Sequence, residues 1–303
     1  MPDDVAEGYK IAQVERITGV GVHTLRAWER RYGVPEPDRS GGRQRLYSLR
    51  DIELINRMRR LSEQGVPLVR AADLARQEMA ERGGRTFSDS LVSKLFSAVV
   101  TWDEAKASAA WIEAFEMFDI QTAFDRVVVP LLKEIGNAWH DGTVSVAQEH
   151  FASNFIRARL DLLSRQVTPL ADAPTALLAC LEGEHHEIGL LMLAVVLRFN
   201  GIRTIYLGQD VPDDALIRTV EDAQPNVLAV NAGTSEGARR LRSLVPQIRA
   251  AAPLTEVVFG GGAFDAEASA RQVEGAHYGG ADLGAALLLI NQLGRRARTG
   301  GKS

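Results

Sequence analysis

The residues best equipped for coordination chemistry stand together at Glu184-His185-His186-Glu187-Ile188-Gly189. Two adjacent imidazoles are flanked by carboxylates, so a ring nitrogen can face a metal while an acidic neighbour holds the other. A solvated polar loop is the competing reading. A second group lies at Trp139-His140-Asp141-Gly142, followed by Val146-Ala147-Gln148-Glu149-His150. Singly these have ordinary accounts, Trp139 as core filler and Glu149 with His150 as a solvated first helical turn. A third group is basic: from Arg16 to Arg60 eleven arginines stand against five carboxylates, a local charge of +6 in a chain of net charge −4. Positive charge gathered in this way is the footprint of phosphate binding.

The elements that must position these groups are legible in the apolar spacing. The histidine pair sits between a strand-forming run, Thr175 to Cys180, and an apolar run of helical length, Ile188 to Phe199. It is therefore the turn of a strand-to-helix unit, and loops at the carboxyl ends of such strands are where open α/β sheets bind ligands. After a linker at 169–174 the alternation continues, with strands expected at 175–181, 203–207, 226–230, 256–259 and 276–278. Helices are expected at 188–199, 213–223, 236–251, 266–272 and 283–298, which implies a parallel, flavodoxin-like (Rossmann-like) sheet. Gly260-Gly261-Gly262 follows the fourth strand and Gly279-Gly280 the fifth. Such runs make tight turns or admit a close backbone approach.

From 87 to 166 only Pro130 interrupts helical spacing, predicting a four-helix bundle with helices at 88–101, 102–118, 120–139 and 146–166. Phe115, Phe118, Phe124, Val127, Leu131 and Ile135 are its expected core. Near the amino terminus, Ile11, Val14 and Ile17 mark a short helix, Gly19 to Gly21 a turn, and Val22 to Tyr32 a second helix, which is helix-turn-helix grammar. On the second helix Leu25 and Trp28 pack inward while Thr24, Arg26, Arg30 and Arg31 reach out. A hairpin is expected over 35–45 and a helix over 46–61 capped by Ser48 and Asp51, while the helix from Ala71 should end at Gly83-Gly84 in a linker. The chain thus reads as a multidomain α and α/β protein, with units at 1–82, 87–168 and 174–298.

With 303 residues, 46% apolar and 24% charged, the composition is that of a soluble globular protein. No run approaches the roughly 18 apolar residues of a membrane span, and the acidic start Met-Pro-Asp-Asp-Val-Ala-Glu is unlike a secretory signal. The single cysteine, Cys180, fits a small buried hydrophobe in a reducing, cytoplasmic setting.

Three resemblances sharpen this. The Thr-Leu-Arg-x-Trp-Glu segment beginning at Thr24, with Gly-Gly-x-x-Arg-Leu-Tyr ending at Tyr47, resembles the winged-helix DNA-binding domain of the MerR family over about the first 78 residues. The resemblance implies that Thr24, Arg26 and Arg30 face DNA from the recognition helix and Arg43 and Arg45 from the wing, with Tyr47 packing the wing. Glu184-x-His186-x-x-Gly189 resembles the signature of cobalamin-binding domains. It selects His186 rather than His185 as the lower ligand of cobalt, with Glu184 behind it. The same resemblance assigns Gly260 and Gly261 to the approach of the cofactor's nucleotide tail. The usual Ser-x-Leu element is replaced by Asn231-Ala232-Gly233, leaving Asn231 or Thr234 to hydrogen-bond the tail.

Taken with that motif, Trp139-x9-Glu149-His150 resembles the cap of the photoreceptor-type cobalamin regulators. It implies that Trp139, Glu149 and His150 enclose the adenosyl group of adenosylcobalamin, and that His140 takes cobalt's upper position after light. The indole would shield and stack, the carboxylate would accept from ribose or adenine, and the neutral imidazole would ligate oxidised cobalt. The implied function is a light-dependent transcriptional repressor, not an enzyme. It would bind operator DNA in the dark as an adenosylcobalamin-loaded homo-oligomer, a tetramer that dissociates in light. Family members usually dimerise through a coiled coil, and no heptad run follows the reading head here, so the oligomer must form elsewhere. The alternatives are a corrinoid methyl-transfer carrier or enzyme module, against which the basic head argues, and a cobalamin-independent regulator acting through partner proteins.

Overall fold

The computed structural model describes residues 8–39, 45–170, 172–264, 271–280 and 282–300. The chain divides into two compact units, Met1–Ser88 and Asp89–Ser303. In the first, α1 (Ile11–Thr18) stops at Gly19, whose φ of 69° closes the helix, and α2 (Val22–Tyr32) stops likewise at Gly33. Leu25 and Trp28 are buried, as their spacing predicts. β1 (Asp38–Arg39) and β2 (Arg45–Leu46) form the antiparallel wing. Tyr47 is 1% exposed and pairs its backbone with Tyr9, so it packs the wing onto the helices. α3 (Leu49–Glu63) opens on the expected capping box, Ser48 Oγ accepting from the Asp51 amide at 3.1 Å while the Ser48 amide donates to Asp51 Oδ2 at 2.8 Å.

α4 (Leu68–Val100) corrects the expected break: the helix runs through Gly83-Gly84 into the second unit. Two glycines cost about 2 kcal/mol relative to alanine, less than a long helix with packed ends can carry. α5 (Glu104–Met117), α6 (Ile120–Ala123), α7 (Val129–His140) and α8 (Val146–Arg165) complete a helical bundle. The third predicted helix is divided by one π turn, Phe124–Val128, where the Val129 N–H reaches back to the Phe124 carbonyl. Pro130 has no N–H to offer the preceding turn, and the helix widens just before it. Phe124, Val127, Leu131 and Ile135 are core, whereas Phe115 and Phe118 are only half-buried beside a surface groove.

β3 (Thr175–Leu181), α9 (Ile188–Phe199), β4 (Arg203–Val211), α10 (Asp213–Ala223), β5 (Val227–Asn231), α11 (Ser235–Ala251), β6 (Glu256–Gly260), β7 (Ala276–Tyr278) and α12 (Leu283–Gly300) follow. All pairings are parallel, in the order β4-β3-β5-β6-β7. This is the flavodoxin-like order, with its topological switch point between β3 and β5. Most of the helix expected at 266–272 lies outside the described residues. The strand expected at 203–207 runs on to Val211: β4 continues through two register shifts against β3, with Gly208 and Asp210 at positive φ.

Candidate cofactor and DNA-binding sites

The switch point brings Glu184, His186 and Asn231 together, from the loop after β3 and the last residue of β5. Glu184 is 3% exposed, and its Oε1 accepts from both the His186 amide (2.8 Å) and His186 Nδ1 (2.7 Å). Its Oε2 accepts from the Gly233 amide. Burial pushes the Glu184 pKa up, but the hydrogen bonds from the His186 amide and ring and from Gly233 outweigh it and hold the carboxyl below its ordinary range. An ionised carboxylate only accepts, so the proton of the neutral imidazole sits on Nδ1 and Nε2 presents a free lone pair. The His186 side chain is 88% exposed. It is a single nitrogen donor held rigidly from behind, the donor set a macrocycle with four nitrogens of its own would need completed.

The replaced Ser-x-Leu element acquires a physical reason here. A Cβ on Gly233 would stand 2.5 Å from Glu184 Oε2, so only glycine lets this amide reach the buried carboxylate. Asn231 Nδ2 donates to the His186 carbonyl at 2.8 Å, bracing the same loop. Thr234 is engaged elsewhere: its hydroxyl caps α11 by accepting from the Gly237 amide at 3.1 Å. Cys180 is fully buried beneath the loop, and burial pushes its thiol up to about 12, so it is protonated and inert.

Beside this loop a cavity of about 600 Å³ opens over the carboxyl ends of β5, β6 and β7. Leu190, Leu193, Val230, Val258 and Phe259 make its walls, with Asn231 and Gly260 to Gly262 at the sheet edge and Asp125, Val129 and Lys133 on the bundle side. Gly189 also lines it, and neither Gly189 nor Gly260 would place a Cβ within 4 Å of another atom, so side chains there would intrude on the cavity itself. Gly261, at φ 114°, is confined against Asn231 and the Ala232 carbonyl. An apolar cleft of this size with a polar edge suits a planar aromatic group on a polar tether.

The bundle residues reach the site through α8. Arg157 Nε donates to Glu187 Oε1 at 2.7 Å next to His186, and Arg198 of α9 donates to the Ser164 carbonyl at 2.9 Å. These two anchors lay α8 parallel to α9, so the part of α8 before Arg157 overhangs the start of α9 and the His186 loop. His150 lies seven residues before Arg157, about 10 Å further along the helix. α7 returns antiparallel to the same end with Trp139 and His140. Trp139 continues the stripe of Leu131 and Ile135, yet it is 50% exposed, so it is not core filler. Glu149 accepts from Ser153 Oγ at 2.6 Å and has His150 Nε2 at 3.7 Å, while His140 is exposed. Spacing alone gives no sign of Arg157 or Gly233, and it shows Glu187 only as a carboxylate flanking the histidines; the sole cue to Gly233 is the Asn-Ala-Gly departure at 231–233.

In the first unit Thr24, Arg26 and Arg30 are all exposed along α2, with the two arginines one turn apart. Arg45 Nε is bonded to Glu29 Oε1 at 3.0 Å, tying the wing to this helix, and Arg43 lies outside the described residues. Arg76 of α4 donates to the Tyr32 and Gly33 carbonyls at 2.6 and 2.8 Å and so caps the end of α2.

A helix-turn-helix head with a free basic face, followed by a helical lid over an imidazole at a sheet's switch point, defines a DNA-binding regulator that takes a corrinoid. Comparison with known proteins agrees. A family model described as MerR HTH family regulatory protein matches residues 9–78, and two described as B12 binding domain match 91–164 and 174–288. The chain is 35% identical over 266 residues, 84% of its length and 89% of the relative's, to the HTH-type transcriptional repressor CarH of Myxococcus xanthus. It is 34% identical to the HTH-type transcriptional repressor CarA of the same organism, over 84% of this chain and 87% of that one. The solved monomethylamine corrinoid protein of Methanosarcina barkeri superposes with a TM-score of 0.56 at 17% identity, covering 67% of this chain and 99% of its own, which shows the fold alone. The chain belongs to the MerR-type transcriptional regulators that carry B12-binding domains. Among the described residues no helix is long and apolar enough to cross a membrane.

Proposed function

We propose that this protein is a cytoplasmic, light-responsive transcriptional repressor whose ligand is adenosylcobalamin. The observation that carries the reading is the Glu184-backed imidazole of His186, exposed beneath the overhang of α7 and α8. His186 would hold cobalt from below in place of the cofactor's own base, and the apolar cavity behind Gly189 and Gly260 would receive that base. Asn231 at the cavity's edge would meet the tail's polar atoms, a role that the capping bond of Thr234 does not favour for that residue. When bound, the group supplies a cobalt to carbon bond that visible light breaks.

The lid residues then have distinct tasks. Trp139 would keep water from the upper ligand and stack against it, and Glu149 with His150 would accept from and donate to its ribose and adenine. Once that ligand has left, His140, exposed at the end of α7, would be the imidazole available to take its place at cobalt. In the dark the closed lid would support a tetramer, placing several α2 helices with Thr24, Arg26 and Arg30, and wings with Arg43 and Arg45, on one operator. Joining heads in this way raises apparent affinity by roughly 10² to 10⁴ over one head. The test is to load the chain in darkness and measure mass and DNA retention before and after green light. A large dark species that holds DNA and falls to a smaller, released one supports the reading; one mass and one affinity in both conditions contradict it.

A further inference from the structure

The cap is tied to the loop that carries His186 by the ion pair of the part-exposed Arg157 with Glu187. Glu187 has a side chain only 10% exposed, yet both of its oxygens are used: Oε1 accepts from Arg157 Nε at 2.7 Å and Oε2 from the Tyr206 hydroxyl at 2.8 Å. Arg157 is steadied by donating through Nη1 to Asn154 Oδ1 at 2.6 Å. A bare buried carboxylate is costly, so this one holds Arg157 tightly. Burial, then the hydrogen bond to Glu187, raises the Tyr206 pKa, so the phenol stays a proton donor to the carboxylate. The other anchor of α8, Ser164 to Arg198, lies at the far end of α9. The stretch of α8 bearing Glu149 and His150 is tied to the rest of the bundle by the Gln148 Nε2 bond to the Val100 carbonyl at 2.7 Å, so the bundle carries it as one body, and Arg157 is the polar tie between that body and the loop nearest the site.

We propose that Arg157 is a positioning residue that, through Glu187, sets the spacing between the lid and His186 and thereby the reach of His140 to the upper face of a bound corrinoid. This rests on the function proposed above. With that tie removed, the bundle keeps its Ser164 to Arg198 anchor and its packing on α9, but the lid residues lose the polar contact that sets their register nearest His186. The lower side is untouched, because Glu184, Gly233 and Asn231 brace His186 independently of the cap.

The test uses the full chain with aquacobalamin as probe, following visible absorbance as imidazole adds below and then above the ring. In the unaltered protein two additions are expected. In Arg157→Met the first should proceed normally and the second should slow by roughly tenfold to a hundredfold, the range seen when a supporting contact of a ligand is lost. Arg157→Lys should recover most of the rate. Glu187→Gln, which keeps a partner for Tyr206 but weakens the grip, should slow the second addition too and serves if Arg157→Met does not fold. If Arg157→Met loses only thermal stability while the second addition keeps its rate, the positioning role is overturned. If the unaltered protein shows no imidazole addition at all, the proposed function fails and this inference with it.

Discussion

Replacing Gly233 by alanine isolates the support of His186 from the ligand itself. Gly233 has no positive φ, so the backbone accepts alanine without strain. The whole effect is local: the new methyl would sit 2.5 Å from Glu184 Oε2 and 3.2 Å from its carboxyl carbon, so the carboxylate must move. Moving it breaks the charge-assisted bond from the Gly233 amide, worth about 1.5–3 kcal/mol, and loosens the Oε1 bond that holds His186 Nδ1. Loss of such a partner behind a metal-bound histidine typically weakens metal binding 10- to 100-fold, or about 1.4–2.7 kcal/mol. Titrating the apoprotein with adenosylcobalamin in darkness, by absorbance, should show that weakening together with incomplete displacement of the cofactor's base. An affinity within about twofold of the unaltered protein, with the same spectrum, would refute the claim that Glu184 and Gly233 preorganise the ligand.

Three further outcomes follow from the same geometry. His140→Ala should bind the cofactor and bleach under green light but leave a product lacking two-imidazole ligation, and a normal two-imidazole absorption spectrum would remove His140 from the scheme. Arg30→Ala, on the exposed face of α2, should weaken binding to random-sequence duplex and lower the slope of log affinity against log salt by about 1; an unchanged slope would take Arg30 off the phosphates. The Glu184 carboxyl is held below its ordinary value of 4.5, so its stabilising contribution is present above that value and is lost as pH falls through the depressed folded value. Urea unfolding of the apoprotein should therefore show a stability advantage over Glu184→Gln near neutrality that shrinks in acid below about pH 4.5; a difference constant across that window would mean Glu184 is not ionised by its hydrogen bonds.

Much of the architecture is legible because burial writes itself into the sequence. β3 and α9 are largely apolar runs, since both faces of a central parallel strand and most of its covering helix leave water, and their bounds are read correctly. The cap of Ser48 and Asp51 is legible because it needs two residue types at a fixed spacing. The helix through Gly83-Gly84 is not, because glycine's helix penalty is small beside what neighbouring turns contribute. β4 is read short because Gly208-Gln209-Asp210 looks like a loop, while its pairing comes from distant β3. At the site, His186, Glu184 and Trp139 declare themselves by type and spacing. Arg157 meets Glu187 across 30 residues, the Tyr206 hydroxyl reaches Glu187 across 19 and the Gly233 amide reaches Glu184 across 49, and no local pattern records those pairings.

The central claim is that the His186 nitrogen, not the cofactor's own base, holds cobalt from below. Electron paramagnetic resonance of the one-electron-reduced, cobalt(II) form reads it directly, using protein in which every histidine carries ¹⁵N while the cofactor keeps ¹⁴N. Ligation by His186 predicts that each cobalt line splits into two; a splitting into three, as a ¹⁴N base would give, contradicts the account.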